Sequence, residues 1–135
     1  MILVDSSVWV GYFNGDDSWQ VNLLDKLLSE EPILIGDLVL TEVLQGFRYD
    51  KDFRRAKEFM SSLPFCEMCG YEMSITSAAN YRKLRKKGIT VRKTIDVMIG
   101  TYCIENNVML LHDDQDFKQL EKELGLKPVL PDYLS

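Results

Sequence analysis

Four acidic side chains stand where they could share one divalent metal ion. Asp5 follows an apolar run at 2–4, and Asp114 comes shortly after an apolar run at 108–111. Glu42 and Asp96 lie near the starts of two segments with helical periodicity. Ligands that are all oxygen select Mg²⁺ or Mn²⁺ over zinc. Such a metal can activate water for attack on a phosphodiester and stabilise the leaving oxygen.

Each acid also has an ordinary structural interpretation. Asp5 and Asp114 could cap the helices that follow them. Asp96, in a first helical turn, is favoured by the helix dipole without any metal, and Glu42 could be an exposed helix residue. The convergence of all four is what favours a metal site. Carboxylates this close repel by on the order of a few kcal/mol per pair in a protein cleft, and a divalent cation removes that conflict.

The elements that must position these acids are short apolar runs alternating with helical patterns, which is typical of β-α units around a parallel sheet. Strands are predicted at 2–4, 33–35, 65–68, 108–111 and 129–130. Helices are predicted over 17–29, 50–60 and 71–87, and also after Asp37 and Thr94 as N-caps, with Gly88 as a C′ glycine. Ligands of such sheets bind outside the carboxyl ends of the strands, where these acids would meet.

The composition indicates one globular domain over residues 1–135. The hydrophobic fraction of 46% and the charged fraction of 27% argue against disorder. No apolar run approaches the roughly 20 residues that span a bilayer, and the N-terminal residues lack the basic region of a signal peptide. The odd number of cysteines, 3, argues against a disulfide framework and suits a reducing compartment. We therefore expect a cytoplasmic protein.

Basic residues are concentrated in one segment, although the net charge is −5. The segment RKLRKKGITVRK, from Arg82 to Lys93, contains no acid and leads directly into the helix of Asp96. A patch of this kind binds phosphates whatever the net charge, and we expect it at the rim of the acids. The alternative is a solvated helix face without a ligand. The candidate RNA-binding residues are Arg82, Arg85, Lys86, Lys87, Arg92 and Lys93.

Cysteine and histidine chemistry finds little support in the sequence. Cys66 and Cys69 form a C-x-x-C, but Cys66 falls inside a predicted strand and not at the helix start that a redox pair needs. A zinc site would also need Cys103 and His112, but Cys103 lies on the inward face of its helix. His112 is the only histidine, which excludes a ribonuclease mechanism with two histidines. We expect His112 at the surface.

Three segments resemble the motifs of the PIN-domain family. ILVDSSVW resembles the family's first strand with its Asp-Ser/Thr-Ser motif, and TEVLQGF resembles its second acidic motif. RKTIDVMIGTYCIENNVMLLHDDQDF resembles the third and fourth motifs run together. The resemblance covers nearly the whole chain in the expected order. The first two segments and the chain length are similar to those of VapC toxins from bacterial toxin–antitoxin pairs.

The resemblance implies a PIN-like three-layer α/β/α fold with a central parallel sheet of about five strands. It also implies a Mg²⁺-dependent endoribonuclease (with Mn²⁺ as the other possible cofactor) that forms a homodimer and is inhibited by a cognate antitoxin. Ser7 matches a hydroxyl that supports the first aspartate, and Asp113 leaves open which C-terminal acid touches the metal. The catalytic acids map onto Asp5, Glu42, Asp96 and Asp114, and the metal ligands onto Asp5, Asp96, Asp114 and Asp116.

Two other classes of acidic α/β protein are excluded by the sequence. A response-regulator receiver needs an acidic pair after the first strand and an aspartate after the third, and a haloacid-type phosphatase needs Asp-x-Asp after the first strand. Asp5 is instead followed by two serines, and no aspartate lies near Met68. A PIN-like module that only binds nucleic acid or protein stays an alternative, against which the four acids argue. The acids do not distinguish RNA from DNA.

Overall fold

The fold is built on a short parallel sheet whose first strand is completely buried. A computed structural model describes residues 1–135. The strands are paired in the order β3-β2-β1-β4, all in parallel. Parallel sheets are covered on both faces, which explains why the strands read as continuous apolar runs. The strands are β1 (Ile2–Val4), β2 (Ile33–Gly36), β3 (Phe65–Cys66) and β4 (Met109–Leu111).

Seven helices flank the sheet and confirm the expected α/β architecture. The fifth predicted strand is reduced to a single bridge, in which Leu110 pairs with Pro128. The two bonds of this bridge run from the N–H of Leu110 to the carbonyl of Lys127 at 3.0 Å and from the N–H of Val129 to the carbonyl of Leu110 at 2.9 Å. No helix combines the length and the apolar character needed to cross a membrane. The helices are α1 (Ser6–Asn14), α2 (Trp19–Glu30), α3 (Asp37–Gln45), α4 (Asp50–Ser61), α5 (Tyr71–Lys86), α6 (Thr94–Glu105) and α7 (Asp116–Leu124).

Several helix ends differ from the sequence-based expectation. Helices α1 and α7, of 9 residues each, lie outside the helices predicted from the sequence. Asp37 and Thr94 are the first helical residues and not N-caps. The Asp37 carboxylate instead accepts the N–H of Met68 at 3.0 Å and so fixes the chain after β3. Gly88 is confirmed as a C′ glycine, with a φ of +78° that suits a residue without Cβ.

The neighbouring strands β1 and β4 form the crevice at which the acids meet. The chain adds β2 and β3 on one side of β1 and then returns through α6 to place β4 on the other side. Open α/β sheets bind ligands at such a reversal of strand order, outside the carboxyl ends of the strands. The N–H of Asp5 donates to the carbonyl of Leu111 at 2.9 Å, so the first acid stays attached to β4.

Close packing of α7 on α6 depends on a glycine. Leu120 of α7 is fully buried against Gly100, which lies four residues after Asp96 on α6. A Cβ atom at Gly100 would stand 2.2 Å from Cδ2 of Leu120. Because a buried leucine has little room to move, the missing side chain is what allows this approach.

We therefore expect Gly100→Ala to lower the free energy of unfolding by about 1–3 kcal/mol through overpacking. Urea unfolding of the metal-free protein measures the change. Gly46→Ala is the matched control, because Gly46 ends α3 in an ordinary helical conformation and its Cβ would meet no atom closer than 3.5 Å. Equal stability of Gly100→Ala and the control would show that the packing of Leu120 on α6 does not require a glycine at position 100.

Candidate metal centre

Asp5 serves the fold with one carboxylate oxygen and leaves the other free. It is the N-cap of α1, and its Oδ2 accepts the N–H of Ser7 at 3.0 Å and the Ser7 hydroxyl at 2.7 Å. Its Oδ1 is buried and has no hydrogen-bond partner. Burial raises the pKa of Asp5, although the bonds from Ser7 oppose that rise. The capping interpretation is therefore correct, and it leaves one oxygen available as a ligand.

Ser7 connects the first acid to the loop that carries the last ones. Its hydroxyl donates to Asp5 and also accepts the backbone N–H of Asp113 at 3.0 Å. One side chain thus fixes the loop after β4 relative to the end of β1. The supporting role implied for Ser7 has a specific geometry here.

Three acids present carboxylate oxygens to one another within 4.8 Å: Asp96, Asp114 and Asp116. Oδ2 of Asp96 and Oδ2 of Asp116 are buried and accept no hydrogen bond. The N–H of Asp116 donates to Oδ1 of Asp114 at 2.9 Å, and no hydrogen-bond donor is paired with Oδ2 of Asp114. Asp113 is exposed and outside this group. Asp114 and Asp116 are therefore the candidate ligands of the last motif.

Glu42 lies beside the three acids and is held by a residue that the sequence analysis did not select. The hydroxyl of Ser6 donates to Oε1 of Glu42 at 3.1 Å, and no protein group donates to its Oε2. Burial and the nearby charge of Asp5 raise the pKa of Glu42. Ser6 precedes Ser7 in the DSS motif, so adjacency to Asp5 was the one available signal for it.

Lys93 is the counter-ion of the acidic cluster. Its Nζ lies 3.8 Å from Oδ2 of Asp96 and 3.7 Å from Oδ2 of Asp114. These acids, Asp96 first, raise the pKa of Lys93. Burial raises the pKa of Asp96 to about 7 despite the attraction of Lys93, and repulsion from Asp5, Asp114 and Glu42 adds to the shift. A single lysine therefore does not neutralise the site.

The donors of this site fit a hard divalent cation. All are carboxylate oxygens, and three of the buried ones accept no hydrogen bond: Oδ1 of Asp5 and the Oδ2 atoms of Asp96 and Asp116. The last two have only the longer ion pairs with Lys93 and Arg92. Buried polar atoms in proteins nearly always have hydrogen bonds, so a group of negative oxygens without them favours the binding of a cation. Oxygen ligands of this kind suit Mg²⁺ or Mn²⁺, and no nitrogen or sulfur donor is present to favour zinc.

The structure divides the basic segment between two places. Arg92 lies at the rim, with Nη2 3.5 Å from Oδ2 of Asp116. Lys86 and Lys87 instead line a surface pocket with Glu105, at the opposite end of α6. Glu105 is nine residues beyond Asp96, or about 13–14 Å along the helix axis.

The expected placement at the rim is therefore right for Arg92 and Lys93 and wrong for the end of α5. The reason is that α5 runs alongside α6 in the same direction. Ser77 lines a pocket with Thr94, and the bond from Asn80 to Thr101 (3.0 Å) lies further along both helices. Lys87 also pairs with Glu123 at 2.8 Å. Arg82 lies between the two groups, beside Thr94 and Met98.

His112 was expected at the surface and is instead 8% exposed. Its Nε2 is paired with Glu121 of α7, and its ring packs on Phe117 with the ring centroids 4.9 Å apart. The surface expectation is wrong because α7, which carries both partners, was not assigned from the sequence. Cys103 is buried as expected, and Cys66 and Cys69 are free thiols.

The sequence matches the PIN domain family over residues 2–123. This chain belongs to the PIN-domain family. Its PIN domain is 30% identical over 129 residues to the VapC ribonuclease Mb1587 of Mycobacterium bovis, a match that covers 94% of this chain and 96% of the relative. Ribonuclease VapC11 of Mycobacterium tuberculosis is equally similar, at 30% identity over the same length. The resemblance to the VapC group is thereby confirmed.

Solved structures agree with this PIN fold. VapBC2 from Rickettsia felis, bound to a DNA fragment from its promoter, superposes with a TM-score of 0.76 at 19% identity and covers 96% of this chain and 98% of the solved one. FitAcB from Neisseria gonorrhoeae superposes with a TM-score of 0.76 at 14% identity and covers 98% and 99%. Identity at this level shows the fold alone, and the site is argued from its own residues.

The raised pKa values of the PIN-domain acids predict how stability depends on pH without metal. Since Asp96 has a pKa of about 7 when folded and an ordinary value of 3.8, the folded state binds more protons between these limits. Asp5 and Glu42 shift in the same direction. The free energy of unfolding in EDTA should therefore fall as the pH rises from about 4 to 7.

Asp96→Asn should flatten this pH dependence and make the metal-free protein more stable than the wild type above about pH 7, by an amount on the order of a few kcal/mol. Thermal unfolding in EDTA from pH 5 to 8 measures both effects. Asp132→Asn, which changes an exposed acid outside the cluster, is the control. A wild-type melting temperature that rose over this range would contradict the assignment of Asp96 as a buried, destabilised carboxylate.

Proposed function

We propose that this chain is a Mg²⁺- or Mn²⁺-dependent endoribonuclease and the toxin of a bacterial toxin–antitoxin pair. The observation that carries the proposal is the set of buried carboxylate oxygens without hydrogen bonds at the β1–β4 crevice. Keeping such atoms together costs stability, which a cation in their midst would restore. The relatives named ribonucleases support RNA as the substrate.

The position of each residue suggests its role in the proposed reaction. Asp5, Asp96, Asp114 and Asp116 would hold the metal. A bound Mg²⁺ or Mn²⁺ supplies a Lewis acid that activates water and stabilises the leaving oxygen of the phosphodiester. Ser7 holds Oδ2 of Asp5 and the loop after β4, so that two of these acids keep a fixed spacing.

We assign Glu42 a different role because it is only half-buried, whereas Asp5 and Asp96 are buried. Its Oε1 is held by Ser6, and its Oε2 is free of protein hydrogen bonds. A raised pKa makes a carboxylate a better proton acceptor near neutral pH. We assign Oε2 of Glu42 as the atom that takes a proton from the attacking water.

The proposal also includes an antitoxin, a second copy of this chain and RNA as binding partners. Solved proteins with this fold include toxin–antitoxin complexes, among them one from Klebsiella pneumoniae with a TM-score of 0.71. We propose that a cognate antitoxin binds and inhibits this chain, and that the chain forms a homodimer. Arg82, Arg85, Lys86, Lys87, Arg92 and Lys93 would contact RNA phosphates, with Arg92 and Lys93 nearest to the acids.

Cleavage of total bacterial RNA should be lost in EDTA and restored by Mg²⁺ or Mn²⁺ but not by zinc, because the site offers only hard oxygen ligands. Asp5→Asn, Glu42→Gln and Asp96→Asn should each lower the rate by more than about 100-fold, since even outer-shell partners of a metal contribute about 10- to 100-fold. Gel analysis of end-labelled RNA measures the rate.

The matched control is Asp113→Asn, which removes a neighbouring exposed charge outside the cluster and should leave cleavage near the wild-type rate. Full activity in EDTA would disprove the metal mechanism. Metal binding without cleavage of RNA would favour the binding-module alternative, and cleavage of single-stranded DNA at the same rate would remove RNA as the preferred substrate.

The two parts of the basic segment should behave differently towards RNA. Arg85, Lys86 and Lys87, when changed together to Gln, should weaken RNA binding and lower its salt dependence by up to about 2 in the log–log slope, at about 0.7 per phosphate contact. Arg92→Gln and Lys93→Gln should also slow cleavage of bound RNA, because both side chains lie beside the acids.

Fluorescence anisotropy across a salt titration measures RNA binding. Single-turnover experiments with saturating enzyme measure the rate at which bound RNA is cleaved. The Asp5→Asn background keeps the RNA intact during the binding measurement. An unchanged salt slope in the triple variant would mean that the end of α5 is only a solvated helix face.

A further inference from the structure

The side chain of His112 supports the 112–116 loop, which carries Asp114 and Asp116. His112 is the first residue after β4 and is buried between this loop and α7. The backbone N–H of Asp114 donates to Nδ1 of its ring at 3.3 Å. On the opposite side of the ring, Nε2 faces Oε2 of Glu121. The imidazole therefore bridges a residue of α7 and the backbone of a candidate metal ligand.

The two contacts determine which nitrogen of the ring carries the proton. The N–H of Asp114 is a donor, so Nδ1 must be the unprotonated nitrogen that accepts it. The proton is then on Nε2, which donates it to Glu121. Glu121 thus fixes the tautomer that the Asp114 contact requires, in the way that outer-shell carboxylates orient histidines.

The geometry resembles an Asx turn made by a different side chain. In an Asx turn, an aspartate or asparagine oxygen accepts the N–H two residues ahead and fixes the loop. Here Nδ1 of His112 takes the place of that oxygen, and Phe117 keeps the ring in place. The next turn follows directly, since Oδ1 of Asp114 accepts the N–H of Asp116.

We propose that His112 and Glu121 are positioning residues for the metal centre, which act by holding the backbone of Asp114 so that its carboxylate and that of Asp116 face Asp96. The inference rests on the proposed function, because it takes these acids as metal ligands. Neither His112 nor Glu121 touches the metal or the substrate. Their effect is on metal affinity, through the conformation of the 112–116 loop.

The test compares two replacements of His112 that have nearly the same shape. Asn offers an oxygen close to the place of Nδ1 and can accept the N–H of Asp114, whereas Leu cannot. Both lose the contact with Glu121. The dissociation constant of Mn²⁺ alone, measured by electron paramagnetic resonance at one fixed pH, should rise about 10- to 100-fold in His112→Leu and stay within about threefold of wild type in His112→Asn.

A second pair of variants changes Glu121, which contacts Nε2 of His112. These variants also test the proposal if His112→Leu fails to fold. Glu121→Gln keeps an acceptor for Nε2, and Glu121→Met keeps only the shape. The first should bind Mn²⁺ like wild type and the second more weakly. Thr101→Val, which breaks the buried bond from Asn80 on α5, is a control for lost stability and should keep the wild-type affinity.

The possible results separate this inference from the proposed function. Weak binding in His112→Leu with near wild-type binding in His112→Asn supports the positioning role. Equal affinities in these two variants, whether both weak or both like wild type, would overturn it while wild type still binds metal. If wild type itself showed no saturable Mn²⁺ binding, the proposed metal centre would fail, and the positioning role with it.

Discussion

The burial of several carboxylates close to one another is the constraint on which the rest of this structure depends. Burial already raises the pKa of Asp5, and Asp96 reaches a pKa of about 7. Carboxylates with such shifted pKa values are concentrated at functional sites, where the surrounding fold holds them in place. The sheet provides the rigidity, because β1 is completely buried and both neighbouring strands are hydrogen-bonded to it.

Two of the acids use their carboxylate oxygens in the same way. One oxygen accepts a backbone N–H, and the other remains available to a ligand. Asp5 caps α1 through Oδ2 and keeps Oδ1 free. Asp114 accepts the N–H of Asp116 through Oδ1 and keeps Oδ2 towards Lys93. A carboxylate has two oxygens, so capping and metal binding are compatible roles in one residue. The observed capping of α1 by Asp5 is therefore compatible with its proposed role as a metal ligand.

Much of the fold and of the site could be predicted from the sequence, because the relevant signals are local. Four strands read as short apolar runs, and Gly88 marked the end of α5. The acids occupy the ends of strands or the starts of helices, and parallel strands bring those ends to one side of the sheet. The order of the acidic motifs also pointed to the PIN family, which the match over residues 2–123 confirms.

The tertiary structure decided which side chains from different helices and strands lie close together. Because α5 and α6 run side by side in the same direction, the contiguous basic segment is split, and only Arg92 and Lys93 reach the acids. The environment of His112 depends on α7, which supplies Phe117 and Glu121 from one helix face. Residue types and spacing thus determined which groups could do chemistry. Packing determined which of them meet, since contacts between distant segments leave no periodic signal in the sequence.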